Sequence, residues 1–260
     1  MPEKIVLIGA GNVATQLGKT LRKQGFSIAQ VYSRTTASAS SLAQILDVPY
    51  TTELDSIVTD ADIYIISVKD DEIASILASI SFGDGLYVHT AGSISMEVFE
   101  QYTDRYGVFY PLQTFSKSRD VSFRKIPLLL ETNLVEDAII LHNLASRLSD
   151  TVQILSSEQR QYIHLSAAFA CNFTNHMYSL AANILEKQDM DYALLLPLIE
   201  ETAAKVKSLS PKQAQTGPAI RNDQKVMQKH LNLLGDDAGL KDIYQKVSSS
   251  IQELSTEIKK

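Results

Sequence analysis

Two glycines and an alanine, spaced Gly9-x-Gly11-x-x-Ala14, stand between an apolar run and a helical pattern. The run Ile5-Val6-Leu7-Ile8 has the unbroken apolar character of a strand buried on both faces. After it, Val13, Leu17 and Leu21 recur every fourth residue, as on one face of a helix. Strand, glycine turn and helix form the context in which this spacing binds a dinucleotide. Gly9 permits the tight turn, Gly11 lets the backbone approach a pyrophosphate, and Ala14 keeps the helix close to the strand. Asn12 and Val13 open the helix, where unpaired N–H groups attract phosphate oxygens. Without a ligand, the same residues would make a plain turn between strand and helix.

A second group bears on which dinucleotide is bound. Folds that take NAD offer a carboxylate about 20 residues past the glycines. The corresponding segment here is Ser33-Arg34-Thr35, and no Asp or Glu occurs from Lys4 through Leu46. A guanidinium with two hydroxyl neighbours suits a 2′-phosphate, which a carboxylate would repel. NADP is therefore expected over NAD, the alternative being that Arg34 is simply solvated at a helix start.

Further polar residues cluster where later strands should end. Ser67, Val68 and Asp70 follow one apolar run, and Thr90 follows His89 at the end of the next; these should line the cofactor. His89 has the chemistry of a proton relay near neutral pH, or it bonds backbone within its turn. Gln113 and Thr114 could hold a carbonyl or carboxylate. On a continuous helix His164, Ala168, Cys171, Asn172 and Asn175 would share one arc, flanked by small residues, and border a ligand cleft. His164 and Asn172 could equally satisfy one another or a neighbouring backbone across a dimer interface. Arg221, after Gly217-Pro218, either pairs with a carboxylate beside a capped helix at Asp223 or anchors an anionic substrate.

The elements that must position these residues alternate. Strands are expected at 4–8, 27–33, 63–68, 86–89, 107–110, 126–130 and 152–155, with helices at 13–23, 38–46, 71–80 and 135–148. This pattern predicts an α/β Rossmann-type fold with a doubly wound, mainly parallel sheet over residues 1–155. Over 156–260 the strand pattern disappears, and an all-α domain is expected. Residues 157–187 lack proline and glycine and read as one helix of about 45 Å. More helix is expected at 192–209, 223–234 and 240–258, with breakers Pro211, Gly217 and Pro218 in one loop.

The 260 residues, 45% hydrophobic and 21% charged, describe a globular chain rather than a disordered one. A formal charge of −6 argues against a nucleic-acid binder or a polybasic membrane binder. No apolar run approaches the roughly 18 residues of a membrane span, and no secretory signal is expected. The single cysteine, Cys171, excludes an internal disulfide. A cytoplasmic protein without a metal site is the simplest expectation.

With these residues assembled, the chain resembles a bacterial group of NADP oxidoreductases in which a Rossmann-like domain precedes the helical domain of unknown function 2520. The resemblance rests on Gly9-x-Gly11-x-x-Ala14, Ser33-Arg34-Thr35, Val68-x-Asp70, His89-x-x-Gly92-Ser93, Pro111-Leu112-Gln113-Thr114-Phe115, Asn172 and Gly217-Pro218-x-x-Arg221-x-Asp223. Lys69 stands where proline is expected, and Asn222 where glycine is usual. More distantly the chain is similar to the 6-phosphogluconate and β-hydroxyacid dehydrogenases, ketopantoate reductase and pyrroline-5-carboxylate reductase. The resemblance implies a cofactor in the first domain, a substrate at the cleft and a homodimer built on the helical domain. It also implies an acid–base lysine four residues before Asn172, where this chain has Ala168.

The expected activity is hydride transfer between NADP and a small substrate, anionic or imine-like. The catalytic candidates are His89, His164, Asn172, Gln113 and Arg221. The missing lysine keeps a non-catalytic NADP(H)-binding sensor open as the alternative. A purely structural helical module with a degenerate first domain would require that no dinucleotide bind.

Overall fold

The computed structural model describes residues 3–256. Eight strands form one sheet: β1 (Lys4–Ile8), β2 (Ser27–Tyr32), β3 (Tyr50–Thr51), β4 (Ile63–Ile66), β5 (Leu86–His89), β6 (Tyr106–Pro111), β7 (Leu128–Thr132) and β8 (Val152–Ile154). Their order is β3-β2-β1-β4-β5-β6-β7-β8, and every neighbouring pair is parallel except β6 with β7. The strand order reverses at β1, so the crevice beyond the ends of β1 and β4 is the place for a ligand. Strand β3 escaped the sequence pattern because two residues, paired to Val31 and Tyr32, carry no periodicity.

The apolar runs are apolar because both faces of the sheet are covered. Ile5 and Leu7 pack into one layer with Leu17 and Leu21 of α1 (Asn12–Lys23), Leu42 and Leu46 of α2 (Thr36–Leu46), and Leu141 and Leu144 of α4 (Val135–Leu148). Val6 and Ile8 point the other way, into a layer with Ile73, Ile76 and Leu77 of α3 (Ile73–Leu77) and with Phe99. These four β1 side chains, Ile5 through Ile8, are fully buried. Helix α3 is shorter than expected. A 3-10 turn over Asp70–Glu72 precedes it, and the Ser75 and Ser79 hydroxyls donate back to carbonyls three and four residues earlier.

The long helix expected over 157–187 is interrupted. It divides into α5 (Ser157–Ala167), a π-helical turn over Ala168–Phe173, and α6 (Thr174–Glu186). The extra residue of a π turn rotates everything beyond it by about 100° around the axis. The expected arc from His164 to Asn172 and Asn175 therefore does not carry through.

The described residues form two compact units, one ending at Asn172 and the other beginning at Phe173. The division falls inside this helical run rather than at 155/156, because α5 is bound to the sheet. Its N-terminal Ser157 donates through N–H (2.7 Å) and Oγ (2.6 Å) to the Glu131 carboxylate on β7. Arg160, 1% exposed, pairs with the same carboxylate and donates to the Ile94 carbonyl. A buried charge of this kind is tolerable only when paired and hydrogen-bonded.

The second unit contains α6, α7 (Leu196–Lys205), α8 (Pro211–Ala214), α9 (Gln224–Leu233) and α10 (Ala238–Thr256). The expected Ile258 end of the last helix lies outside the described residues. Asp223 caps α9 by accepting the Val226 N–H at 3.1 Å, while the neighbouring Arg221 is exposed and makes no ion pair among the described residues. Asn222 has φ +54°, the left-handed conformation that glycine takes freely and asparagine tolerates. Likewise Lys69 has φ −67° and ψ 148°, the backbone a proline would impose. At both positions the backbone is one that the expected proline or glycine would also adopt. Among the described residues no helix is long and apolar enough to cross a membrane, and no His, Cys, Asp and Glu group is arranged to hold a metal.

Candidate functional site

A cleft of about 650 Å³ opens beyond the strand ends of the first unit. At its centre lies the turn Gly9–Val13. Gly9 has φ +123°, and a Cβ there would stand 2.2 Å from the Ser67 carbonyl oxygen. Glycine is thus required for β1 and β4 to stay close, with Ser67 N–H donating to the Ile8 carbonyl at 2.7 Å. Gly11 serves a different end. It is the N-cap of α1, no side chain caps it, and a Cβ built on it meets nothing within 4 Å. The open space and the uncapped N–H groups of Asn12 and Val13 form a cradle for an anion, with no acid in the helix's first turn to repel one. These residues fit a pyrophosphate. Ala14 lies below, fully buried in the helix–sheet contact.

One end of the cleft is charged. Tyr32, Ser33 and Arg34 line it from the end of β2, Ser38 from α2, and Lys69 and Glu72 from the turn after β4. Thr35 does not line the cleft. Its hydroxyl accepts the Ser38 N–H at 3.3 Å and caps α2, so Ser38 supplies the second hydroxyl expected there. Arg34 Nη2 lies 2.9 Å from Glu72 Oε1. The Tyr32 phenol is raised above its ordinary pKa mainly by burial, with Arg34 opposing and Glu53 and Glu72 adding to the rise.

The other end is formed by Thr90, Ala91, Gly92, Tyr110, Pro111, Gln113 and His164. Thr90 Oγ1 donates to Ser67 Oγ at 3.0 Å, and the Ser93 hydroxyl donates to Asp70, so the loops after β4 and β5 are tied together. The Tyr110 hydroxyl lies 2.9 Å from His164 Nδ1, with the rings edge to face. Burial raises the Tyr110 phenol pKa, Asp70 adds to this and Arg160 opposes it, so the hydroxyl is protonated at neutral pH. Gly92 makes room for the pair: a Cβ there would stand 2.4 Å from His164 Nδ1 and 2.9 Å from Tyr110 Cζ. Lys117 also lines the cleft, on a loop whose Ser116 and Arg119 carbonyls accept from Gln16 Nε2 at 2.7 and 3.0 Å.

Of the expected residues, Gly9, Gly11, Asn12, Val13, Ser33, Arg34, Ser67, Val68, Asp70, Thr90, Gln113 and His164 meet in this cleft. His89 does not, and the structure corrects that expectation. It is fully buried, stacked on Phe99, and its Nδ1 accepts the Ala91 N–H at 3.1 Å. Its pKa is lowered to about 3, first by burial and then by Arg160. A proton relay must reach the reacting atom and titrate near the working pH; His89 does neither. Asn172 sits exposed on the π turn, away from the cleft lining, and Arg221 belongs to the second unit. Lys69, Gly92 and Tyr110 stand in the strand-end loops expected to line the cofactor, though without a role of their own; Glu72, Ser38 and Lys117 were not expected as site residues. A strand-end tyrosine is the one signal among them that the sequence offered.

Comparisons with known proteins agree with this architecture. Residues 4–91 match the family described as NADP oxidoreductase coenzyme F420-dependent, and residues 126–251 match the domain of unknown function 2520. A Bacteroides fragilis protein, provisionally named an NADP oxidoreductase, is 51% identical over 97% of this chain and 98% of its own, with a TM-score of 0.93. A Thermotoga maritima protein is 20% identical over 97% and 99%, with a TM-score of 0.80. An imine reductase from Myxococcus stipitatus, solved with NADP+, shares the fold at 18% identity over 98% and 93%, with a TM-score of 0.66. No curated protein matches this chain significantly.

Proposed function

We propose that this chain, which belongs to the family of NADP oxidoreductases joining a Rossmann-like domain to the domain of unknown function 2520, reduces a small imine-like or anionic substrate with Tyr110 and His164 handling the proton. The observation that carries the reading is the 2.9 Å contact between these two side chains, in the cleft that also holds the Gly9–Val13 cradle. The cradle would hold the pyrophosphate, Arg34 with Ser33 and Ser38 the 2′-phosphate, and Ser67, Thr90 and Gly92 the nicotinamide side. The bound nicotinamide supplies the hydride.

The remaining chemistry falls to the chain. Reduction of a C=N bond adds a hydride at carbon and a proton at nitrogen. Tyr110, protonated at neutral pH, donates from the cleft wall, and His164 Nδ1 lies within reach to replace the proton. This pair supplies the acid that the absent lysine at position 168 would otherwise have provided. Gln113 and Lys117 line the same cleft and offer donors to a substrate carboxylate.

A homodimer belongs to the same reading. Beyond residue 172 only Ala219 and Ser248 are buried among the described residues, while Leu194 (71%), Leu198 (63%) and Leu233 (83%) are largely exposed. An apolar groove of about 390 Å³ runs between α6, α9 and α10. A helical unit without a core of its own needs a second apolar surface, and a second copy provides one.

The test is NADPH oxidation by the purified protein against panels of cyclic imines and keto acids. Tyr110→Phe should lower turnover by about 10²-fold or more while leaving NADPH affinity within about twofold. Tight NADPH binding with no turnover on any panel would favour the sensor reading instead.

A further inference from the structure

The acid that the segment after β2 lacks arrives from elsewhere in the chain. Glu72, on the 3-10 turn after β4, brings its carboxylate to the guanidinium of Arg34, 2.9 Å away. The Glu72 side chain is 20% exposed, whereas Arg34 is 64% exposed. The acid is therefore the better anchored partner, and the arginine has open edges. A guanidinium carries five N–H donors, so Arg34 can keep Glu72 on one edge and still offer another to a ligand. The two charges act oppositely on a nucleotide. A 2′-phosphate, carrying nearly two negative charges, is drawn by Arg34 and repelled by Glu72. A free 2′-hydroxyl can donate to the Glu72 carboxylate, as it does to the acid that ends the second strand in NAD folds.

We propose that Glu72 is the residue that narrows the cofactor preference, so that the cleft accepts NADH through Glu72 as well as NADPH through Arg34. This rests on the reading of the cleft as a dinucleotide site. Lys69 and Ser38 line the same end and favour the phosphate form. Glu53 adds negative potential there, as its effect on the Tyr32 phenol shows. The net preference is thus set by Arg34 and Lys69 against Glu72 and Glu53, and of the two acids only Glu72 lines the cleft.

The experiment measures dissociation constants of NADPH and NADH by titration into the full chain at one fixed ionic strength. It compares wild type, Glu72→Gln and Arg34→Ala. Glu72→Gln keeps the side-chain shape and removes the charge. It should tighten NADPH by about threefold to tenfold and weaken NADH, moving the ratio about tenfold or more toward NADPH. Arg34→Ala should weaken NADPH about ten- to a hundredfold and leave NADH within about threefold. An unchanged ratio in Glu72→Gln, or weaker NADPH binding, overturns the role given to Glu72 even if Arg34→Ala behaves as expected. Failure of both nucleotides to bind the wild type overturns the cofactor reading itself, and this inference with it.

Discussion

Gly92→Ala tests the catalytic pair without replacing either member of it. The new methyl would lie 2.4 Å from His164 Nδ1, about 1 Å inside an ordinary contact. Two responses compete. If the ring were enclosed, overpacking would cost about 1–3 kcal/mol. His164 is exposed, however, so the cheaper response is to swing outward and give up the Tyr110 hydrogen bond. That bond is worth about 0.5–1.5 kcal/mol, so the melting temperature should fall by only about 1–6 °C. The catalytic cost should be much larger. A displacement of about 1 Å in a proton-handling group can lower turnover about 10²-fold. The assays are thermal unfolding, NADPH-dependent turnover, and the ring resonances of His164 followed by NMR. A variant with wild-type turnover and unchanged His164 resonances would refute the proposed geometry. Large destabilisation with the pair intact would refute the argument about which response is cheaper.

Other consequences can be checked separately. His89 is held neutral in the fold, with a pKa near 3 against an ordinary value near 6.5. The unfolded chain therefore binds one more proton between these values, and stability must fall as pH drops from about 6.5, by up to about 1.4 kcal/mol per pH unit. His89→Gln should remove that slope between about pH 6 and pH 5 in urea titrations, and an unchanged slope would contradict the assignment. Arg160→Met leaves the Glu131 carboxylate buried without its partner and should cost about 3–5 kcal/mol, whereas a loss below about 1 kcal/mol would mean that water already reaches the pair. Light scattering should give about twice the 28.7 kDa of one chain at micromolar concentration, and a particle of one chain's mass would sink the dimer.

The sheet was legible because its strands are buried on both faces and so appear as unbroken apolar runs, as at Ile5–Ile8. The glycine turn was legible because its spacing carries a mechanism. Local patterns could not show pairings made across the chain. Glu72 reaches Arg34 from 38 positions away, so the search for an acid near residue 34 in sequence missed the one near it in space. His89 was misread for a related reason. Its place at a strand end is correct, but a strand end can turn a side chain into the cleft or under it, and Phe99 and Arg160 take it under. Tyr110, one strand over, is on the same face of the sheet but two residues beyond the Val108 that pairs with His89, and there it lines the cleft. Nothing in its neighbours announced that, because it depends on His164, 54 residues later.

That dependence links the ion pair beneath the helix to the chemistry above it. Arg160 and His164 are one turn apart on α5, so they share a face and move as one rigid element. Glu131 holds Arg160 from below, Ser157 ties the helix start to the same carboxylate, and Gln161 Nε2 donates to the Ser93 carbonyl at 3.0 Å. Ser93 is the residue beside Gly92, over which the His164 ring lies. The stretch of α5 that carries His164 is therefore held at Glu131 and at Ser93 before the π turn begins. A continuous α-helix would have put Asn172 and Asn175 in one arc with His164, as the sequence suggested. The π turn changes that register between Ala168 and Phe173; His164 lines the cleft, and Asn172, exposed on the turn, does not.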